Sequence, residues 1–237
     1  MENNVGLIEF LKKDEIKNLN IIGFLENNSI CIVERIGNSM LVKGTSDRDW
    51  IYISSSDEEE LNILKNKLDK NDKNFGAIED WMVPILIENK SIEWDFPLVQ
   101  YYLPADCKVP RPEIHTEPLI KEDAKIIFEN SEYQNSISLE YSEEQIEKGI
   151  TAGIRLDGRL AAWCITQDDG GLGFLHVLPE YRRKRYGYHV TLALIEVVRK
   201  KGKIPFAYIL EDNVKSINLI TKLGFKKDKK IHWFGIK

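Results

Sequence analysis

The chain has 237 residues, 43% hydrophobic and 30% charged, with a formal net charge of −5. That is the composition of a globular protein of one large or two small domains, and it excludes collagenous and low-complexity chains. It is not basic enough to suggest a nucleic-acid binder, and no apolar run approaches the ~20 residues a membrane-spanning helix needs.

Residues 5–19 carry Leu7, Ile8, Leu11, Ile16 and Leu19 at roughly helical spacing. Ile30–Ile36 and Met40–Lys43 read as a strand pair across Gly37-Asn38, and Trp50–Ser55 as a third strand. Asp57 stands where it can cap a helix carrying Leu61, Leu64 and Leu68. A short strand at 75–78, a short helix at 80–88 and a longer strand at 92–103 follow. Pro104, Pro110, Pro112 and Pro118 then break the pattern, which places a linker at 104–112 between a first domain, 1–110, and a second, 111–237. Charge divides the same way: 12 basic against 20 acidic residues, net −8, in 1–110, and 21 against 18, net +3, in 111–237. The anion-binding chemistry is therefore expected in the second domain.

There, 114–120 reads as a first strand, and roughly 121–131 and 142–149 as polar helices. Thr151–Leu156 and Leu160–Gln167 form a hairpin turned by Asp157-Gly158. Asp168-Asp169-Gly170-Gly171 turns the chain into a strand from Leu172 to Leu178, which a proline ends. Arg182-Arg183-Lys184-Arg185 follow, then Gly187, then Val190, Ala193, Leu194 and Val197 on one helical face. Strand, basic turn and helix N-terminus together make an anion site that suits phosphate or pyrophosphate, because unpaired N–H groups and the positive end of the helix dipole point out of the turn. A strand at 204–210, a helix at 213–223 and a closing stretch, 225–236, complete the chain. Trp163, Trp233 and Phe234 are expected in the core. Lys226 to Lys230 reads as a solvated hairpin turn and Glu58 to Glu60 as the first turn of a helix.

The basic stretch resembles the cofactor loop of the GNAT superfamily of acyl-CoA-dependent N-acyltransferases. Val177, Pro179, Arg182 and Gly187 fit that pattern; Arg185 stands where the family usually has glycine. Asn213 to Phe225 is similar to the family's Asn-x-x-Ser segment ending in Leu-Gly-Phe, and the element order of 114–237 is that of the GNAT fold. Ala162-Trp163, the Asp/Gly turn and Leu178-Pro-Glu-Tyr-Arg182 look like glycine N-acyltransferase-like (FR47-like) members. The resemblance covers about half the chain. It implies an α+β fold: a mixed, mostly antiparallel twisted sheet flanked by helices, preceded by a smaller α/β domain of structural or substrate-site role. Residues 50–103 repeat the element order of 172–236, which leaves a degenerate copy and a coincidence both open. The matching turn, Ser54 to Glu60, is acidic and would repel pyrophosphate.

The resemblance implies acetyl-CoA, or another acyl-CoA, as cosubstrate. Backbone N–H groups from Arg183 through Lys184, Arg185, Tyr186 and Gly187 to Tyr188 would cradle the pyrophosphate, with the side chains of Arg182 to Arg185 on phosphate. The edge of Val177 and Leu178 would pair with the pantetheine amide, and Asn213 and Ser216 would line the arm. Arginine at 185 keeps its N–H and is compatible with helical backbone angles, so binding is expected to survive. Proton handling departs from the relatives: the glutamate after their turn glycine is Gly171 here, and their tyrosine before Gly-Phe is Ile220. Asp169 and His176 are the candidate bases and Tyr208 the candidate acid.

Two function classes follow: an N-acyltransferase acting on a primary amine of a small molecule or amino acid by direct attack, or a non-catalytic acyl-CoA-binding protein. No nucleic-acid or membrane partner is expected, and the chain is read as a monomer or homodimer. Three spaced cysteines, Cys31, Cys107 and Cys164, four scattered histidines without metal-ligand spacing, and Met1-Glu2-Asn3-Asn4 without a leader pattern suggest a reduced, cytoplasmic setting and no metal.

Overall fold

The computed structural model describes residues 4–131 and 137–237. Apart from short 3-10 turns, the elements are α1 (Val5–Leu11), α2 (Glu15–Asn27), β1 (Ser29–Ile36), β2 (Ser39–Thr45), β3 (Asp49–Ser54), α3 (Glu58–Lys65), β4 (Asn74–Glu79), α4 (Val83–Leu86) and β5 (Ile92–Tyr102). Then come α5 (Ala124–Glu129), α6 (Leu139–Lys148), β6 (Thr151–Leu156), β7 (Arg159–Thr166), β8 (Leu172–Val177), α7 (Tyr186–Lys200), β9 (Phe206–Ile209), α8 (Val214–Lys222) and β10 (Lys226–Ile236). The order of helices and strands in 5–102 is repeated in 124–236.

The chain forms two compact units, and neither is contiguous in sequence. The first holds residues 1–100, 209–212 and 227–237; the second holds 101–208 and 213–226. Besides the change near the prolines, the chain therefore returns to the first unit twice, and its final strand belongs there.

In the first unit the strands run in the order β1-β2-β3-β4-β10-β5. β1, β2 and β3 are antiparallel neighbours, β10 is antiparallel to β4, and β3 and β4 are parallel, sharing the register pair Ile51 with Phe75. The hairpin at Gly37 is turned by a residue at φ 54°, which glycine adopts freely. Asp57 caps α3 as its position suggests, its Oδ1 accepting from the Glu60 N–H at 2.8 Å. Leu41, Ile53, Leu61, Leu64, Phe75 and Phe234 meet in the core, with Leu68 packed beside them from beyond the helix end. The first helical stretch continues past 19 to Asn27, because its buried residues run from Asn18 to Leu25.

In the second unit the order is β9-β8-β7-β6. β6, β7 and β8 are antiparallel, and β8 and β9 are parallel through the pair Leu172 with Ala207. The hairpin is turned by Asp157 and Gly158, both at positive φ. Leu119, Ile127, Ile146, Leu160, Trp163, Ile165 and Leu178 form the core beneath α5 and α6. The Arg199 guanidinium donates to the Pro104 and Cys107 carbonyls, both at 2.7 Å, which fastens the proline-bounded stretch to α7.

Three sequence readings are corrected. Residues 114–120 form no strand but a single bridge, Glu117 with Gly153, because Pro112 and Pro118 have no N–H to give a ladder. Lys226 to Lys230 is no hairpin turn; it begins β10, and Lys229 pairs with Glu79 at 2.9 Å while Asp228 accepts from Gln100 at 2.9 Å. On α7, Val190, Ala193 and Leu194 are buried as expected, but Val197 is 36% exposed and Val198 takes its place. Trp163 and Phe234 are buried, at 1% and 0%, while Trp233 is half-buried, edge-on to Trp50 at 4.8 Å.

Candidate functional site

A parallel strand pair cannot be joined by a tight turn. The chain between β8 and β9 therefore leaves β8, passes through the basic turn and returns as α7, whose N-terminus lies in the crossover that begins at the carboxyl end of β8. Pro179 to Tyr181 makes one 3-10 turn and Arg182 is extended. Arg183 and Arg185 both lie in the left-handed region, at φ 62° and 64°. Arg185 is the N-cap of α7, with no side-chain cap, and its carbonyl accepts the first helical bond, from His189. The N–H groups of Tyr186, Gly187 and Tyr188 precede any intrahelical partner, as in the first turn of every helix.

Left-handed turn residues ahead of a helix start gather backbone N–H groups into a concavity that binds anions. Arg182, Arg183, Lys184 and Arg185 are all exposed around it. Arg185 lies 5.1 Å from the Tyr188 ring and Lys184 5.8 Å from the Tyr181 ring, so two of the cations rest on aromatic faces. The reading of Arg185 as helical in its backbone is corrected: it takes the left-handed conformation that the family's glycine would adopt without cost, at roughly 1–2 kcal/mol for an L-residue. An added Cβ at Gly187 would meet only Val177 Cγ2, at 3.4 Å, so that position is open but close to the strand end.

The Val177 carbonyl accepts from Arg182 Nε at 3.0 Å, and the Leu178 N–H donates to Ala161 at 3.0 Å. Both groups expected to meet a pantetheine amide thus already hold protein partners. Asn213 caps α8, its Oδ1 accepting from the Ser216 N–H at 3.1 Å. Lys222 at the end of that helix lies 5.5 Å from the Tyr188 ring.

Two of the three candidate proton-handling residues come together. Tyr208 on β9 donates its hydroxyl to Asp169 Oδ2 at 2.7 Å, and the Gly171 N–H donates to Oδ1 at 3.0 Å. Asp169 is fully buried. Burial, with the charge of Asp168 beside it, pushes its carboxyl up to about 7. Burial and the same carboxylates push the Tyr208 phenol well above its ordinary value, which keeps it protonated. His176 stands elsewhere on β8, stacked at 4.8 Å on Trp163, its register partner across the strands. Gly171 leaves little room: an added Cβ would lie 3.2 Å from Asp169 Oδ1 and 3.3 Å from the Tyr208 ring. Ile220 is buried at 5% exposure.

Sequence reasoning missed Tyr141 and Phe174. Tyr141 on α6 reaches Asp168 Oδ1 at 3.4 Å, and its ring centroid lies 6.1 Å from that of Phe174. Phe174 has φ 51°, and the β7–β8 register slips between Trp163 and Ile165, so β8 is bulged there. The signal was Gly173, since a glycine inside a strand pattern often marks a bulge. Among the described residues no cluster of histidine, cysteine and acidic side chains suits a metal ion.

Residues 148–234 match the family described as FR47-like protein. A Drosophila protein from a structural genomics programme has a TM-score of 0.78 at 20% identity, over 98% of this chain and 95% of that one. A GCN5-related N-acetyltransferase from Kribbella flavida has 0.58 at 15%, over 93% and 94%. The chain has the fold of GNAT acetyltransferase structures, and within it residues 148–234 are similar to FR47-like proteins. A tandem GNAT protein from the clavulanic acid biosynthesis pathway has 0.56 at 14%, over 92% and 87%. No protein of curated function matches this chain. The mixed, mostly antiparallel sheets with flanking helices are those of the GNAT fold, and no described helix is long and apolar enough to cross a membrane.

Two outcomes follow for this GNAT-fold chain. Arg185→Gly is expected to raise unfolding stability by about 1 kcal/mol in denaturant titration, by releasing the left-handed strain; an equal loss would contradict the strain. Asp169→Asn tests the buried carboxyl. The folded group keeps its proton to about pH 7, where the unfolded chain has released it, so stability falls as pH rises from the ordinary carboxylate range to about 7. Removing the carboxyl removes that fall, so the variant should gain on the wild type across this window; parallel pH curves would contradict it.

Proposed function

We propose that this chain is an acyl-CoA-dependent N-acyltransferase, transferring acetyl to a primary amine of a small molecule by direct attack. The observation that carries the reading is the basic turn: two left-handed residues and three helix-start N–H groups, ringed by four exposed cations. That donor set fits a pyrophosphate, which spreads its charge over several acceptor oxygens. Tyr186, Gly187 and Tyr188 would hold it through their backbones and Arg182 to Arg185 through their side chains, with Asn213 and Ser216 near the pantetheine arm. The cosubstrate supplies an activated acyl thioester.

The chain's own chemistry is proton transfer. An amine must be neutral to attack, and Tyr208 with Asp169 forms a relay for its proton. The phenol oxygen takes the amine proton as the phenol gives its own to the Asp169 carboxylate, so Tyr208 ends unchanged and the proton rests on a carboxyl whose affinity is matched to neutral pH. A second reading, acyl-CoA binding without turnover, is favoured by Gly171 and Ile220 at the positions where relatives carry an acid and a tyrosine.

The test is a thermal shift with CoA and acetyl-CoA, followed by turnover on a panel of primary amines. Ligand at 100 times its Kd should add about 2.7 kcal/mol of apparent stability, and Arg182→Ala with Gly187→Trp should abolish the shift. Tyr208→Phe should keep the shift, lose roughly 10²–10⁴-fold in turnover, and lose the rise in rate through about pH 7. Shift without turnover on any amine would put the binding reading in its place; no shift with either ligand would overturn both.

A further inference from the structure

The first unit repeats the element order that makes the basic turn, but with different chemistry at the crossover. β3 and β4 are its parallel pair, as β8 and β9 are in the second unit. Crevices beyond the carboxyl ends of neighbouring parallel strands are where open sheets bind ligands. Here such a cleft exists, with a volume of about 470 Å³, lined by Lys17, Ser55, Ser56, Glu58, Glu79 and Trp81. Ser55 and Ser56 follow the end of β3, Glu79 ends β4, and Lys17 reaches in from α2.

Its walls are fixed before any ligand arrives. The Ser55 hydroxyl accepts from Ser39 Oγ at 2.7 Å and from the Asp57 N–H at 3.1 Å. Lys229 donates to Glu79 at 2.9 Å and to the Lys17 carbonyl at 2.6 Å, and the Trp81 indole N–H donates to the other Glu79 oxygen at 3.1 Å. Lys17 donates to the Ser55 carbonyl at 2.7 Å and to Ser56 Oγ. An ammonium has three N–H groups, so one remains for a ligand. Burial pushes the Lys17 amine below its ordinary value, which a bound anion would reverse.

The charge pattern selects the ligand. Glu79 is held by Lys229 at 2.9 Å and also acts on Lys17, as does Asp14; of the lining groups, the Lys17 ammonium and the Glu58 carboxylate on the rim are the charges that face an occupant. Trp81 adds an indole that is 38% exposed beside them. We propose that this cleft binds a free α-amino acid with an apolar side chain: its carboxylate on Lys17 and Ser56, its ammonium on Glu58, its side chain against Trp81. The acidic turn that argues against pyrophosphate here is what holds the ammonium. The site lies wholly within the first unit and is independent of the acyl-CoA reading.

The test uses the full chain without any acyl-CoA, so its outcome does not depend on the cofactor turn. Calorimetric titrations would compare L-phenylalanine with N-acetyl-L-phenylalanine, which lacks the cation, and 2-phenylethylamine, which lacks the carboxylate. L-Phenylalanine should bind saturably, and each analogue at least tenfold more weakly. Lys17→Met and Glu58→Gln should each weaken L-phenylalanine tenfold or more. Should Lys17→Met fail to fold, Glu58→Gln, an exposed position, decides. No saturable binding of the amino acid, equal binding of the three compounds, or wild-type affinity in Glu58→Gln would overturn the proposal.

Discussion

Each unit has a parallel strand pair with an antiparallel neighbour beside it, β3 with β4 and β8 with β9, and both candidate sites depend on it. Antiparallel strands can be joined by two-residue turns, as at Asp157-Gly158, but a parallel pair forces the chain out of the sheet and back through a helix. That excursion sets a helix start in the crossover that begins at the carboxyl end of the first strand, where backbone N–H groups lack partners. What occupies the crossover then decides the chemistry. In the second unit the loop before α7 is four cations with two left-handed residues. In the first it is Ser55, Ser56 and the capping Asp57, followed by Glu58, Glu59 and Glu60 as the first turn of α3.

The left-handed residues show how the basic turn is held. Arg183 and Arg185 carry strain of roughly 1–2 kcal/mol each that glycine would not. Both conformations persist because Arg182 is pinned to the Val177 carbonyl on one side and α7, buried along Val190, Leu194 and Val198, is pinned on the other. The cations gained at those positions strengthen attraction for an anion at some loss of stability. Such a trade of local strain against charge is common where backbone and ligand must meet closely.

Much of this was legible in the sequence, and the limits have physical causes. The hairpin turns, the Asp57 cap, the buried Trp163 and the strand-turn-helix at 172–200 are local signals carried by turn residues and periodicity. Positive φ at Arg183 and Arg185 was not legible, since arginine does not advertise it. The strand at Lys226 to Lys230 was hidden because its charged side chains find partners outside the stretch, Lys229 and Lys230 in Glu79 and Glu211 and Asp228 in the Gln100 amide. Asp169 and Tyr208 could each be named, but that Tyr208 donates to Asp169 at 2.7 Å across 39 residues of separation is a tertiary fact. Tyr141 was missed for the same reason, whereas the Phe174 bulge had a local signal in Gly173. The return of the last strand to the first unit has no sequence signature at all.

The central claim is that the α7 start and its basic turn receive the pyrophosphate of an acyl-CoA. The most direct measurement is the backbone amide spectrum of ¹⁵N-labelled protein during titration with CoA, and separately with pantetheine, which lacks the pyrophosphate. The account expects the largest shifts at Tyr186, Gly187 and Tyr188 with CoA, and unchanged amides there with pantetheine. Shifts confined to other parts of the chain, or equal shifts at these three amides with both compounds, would contradict it.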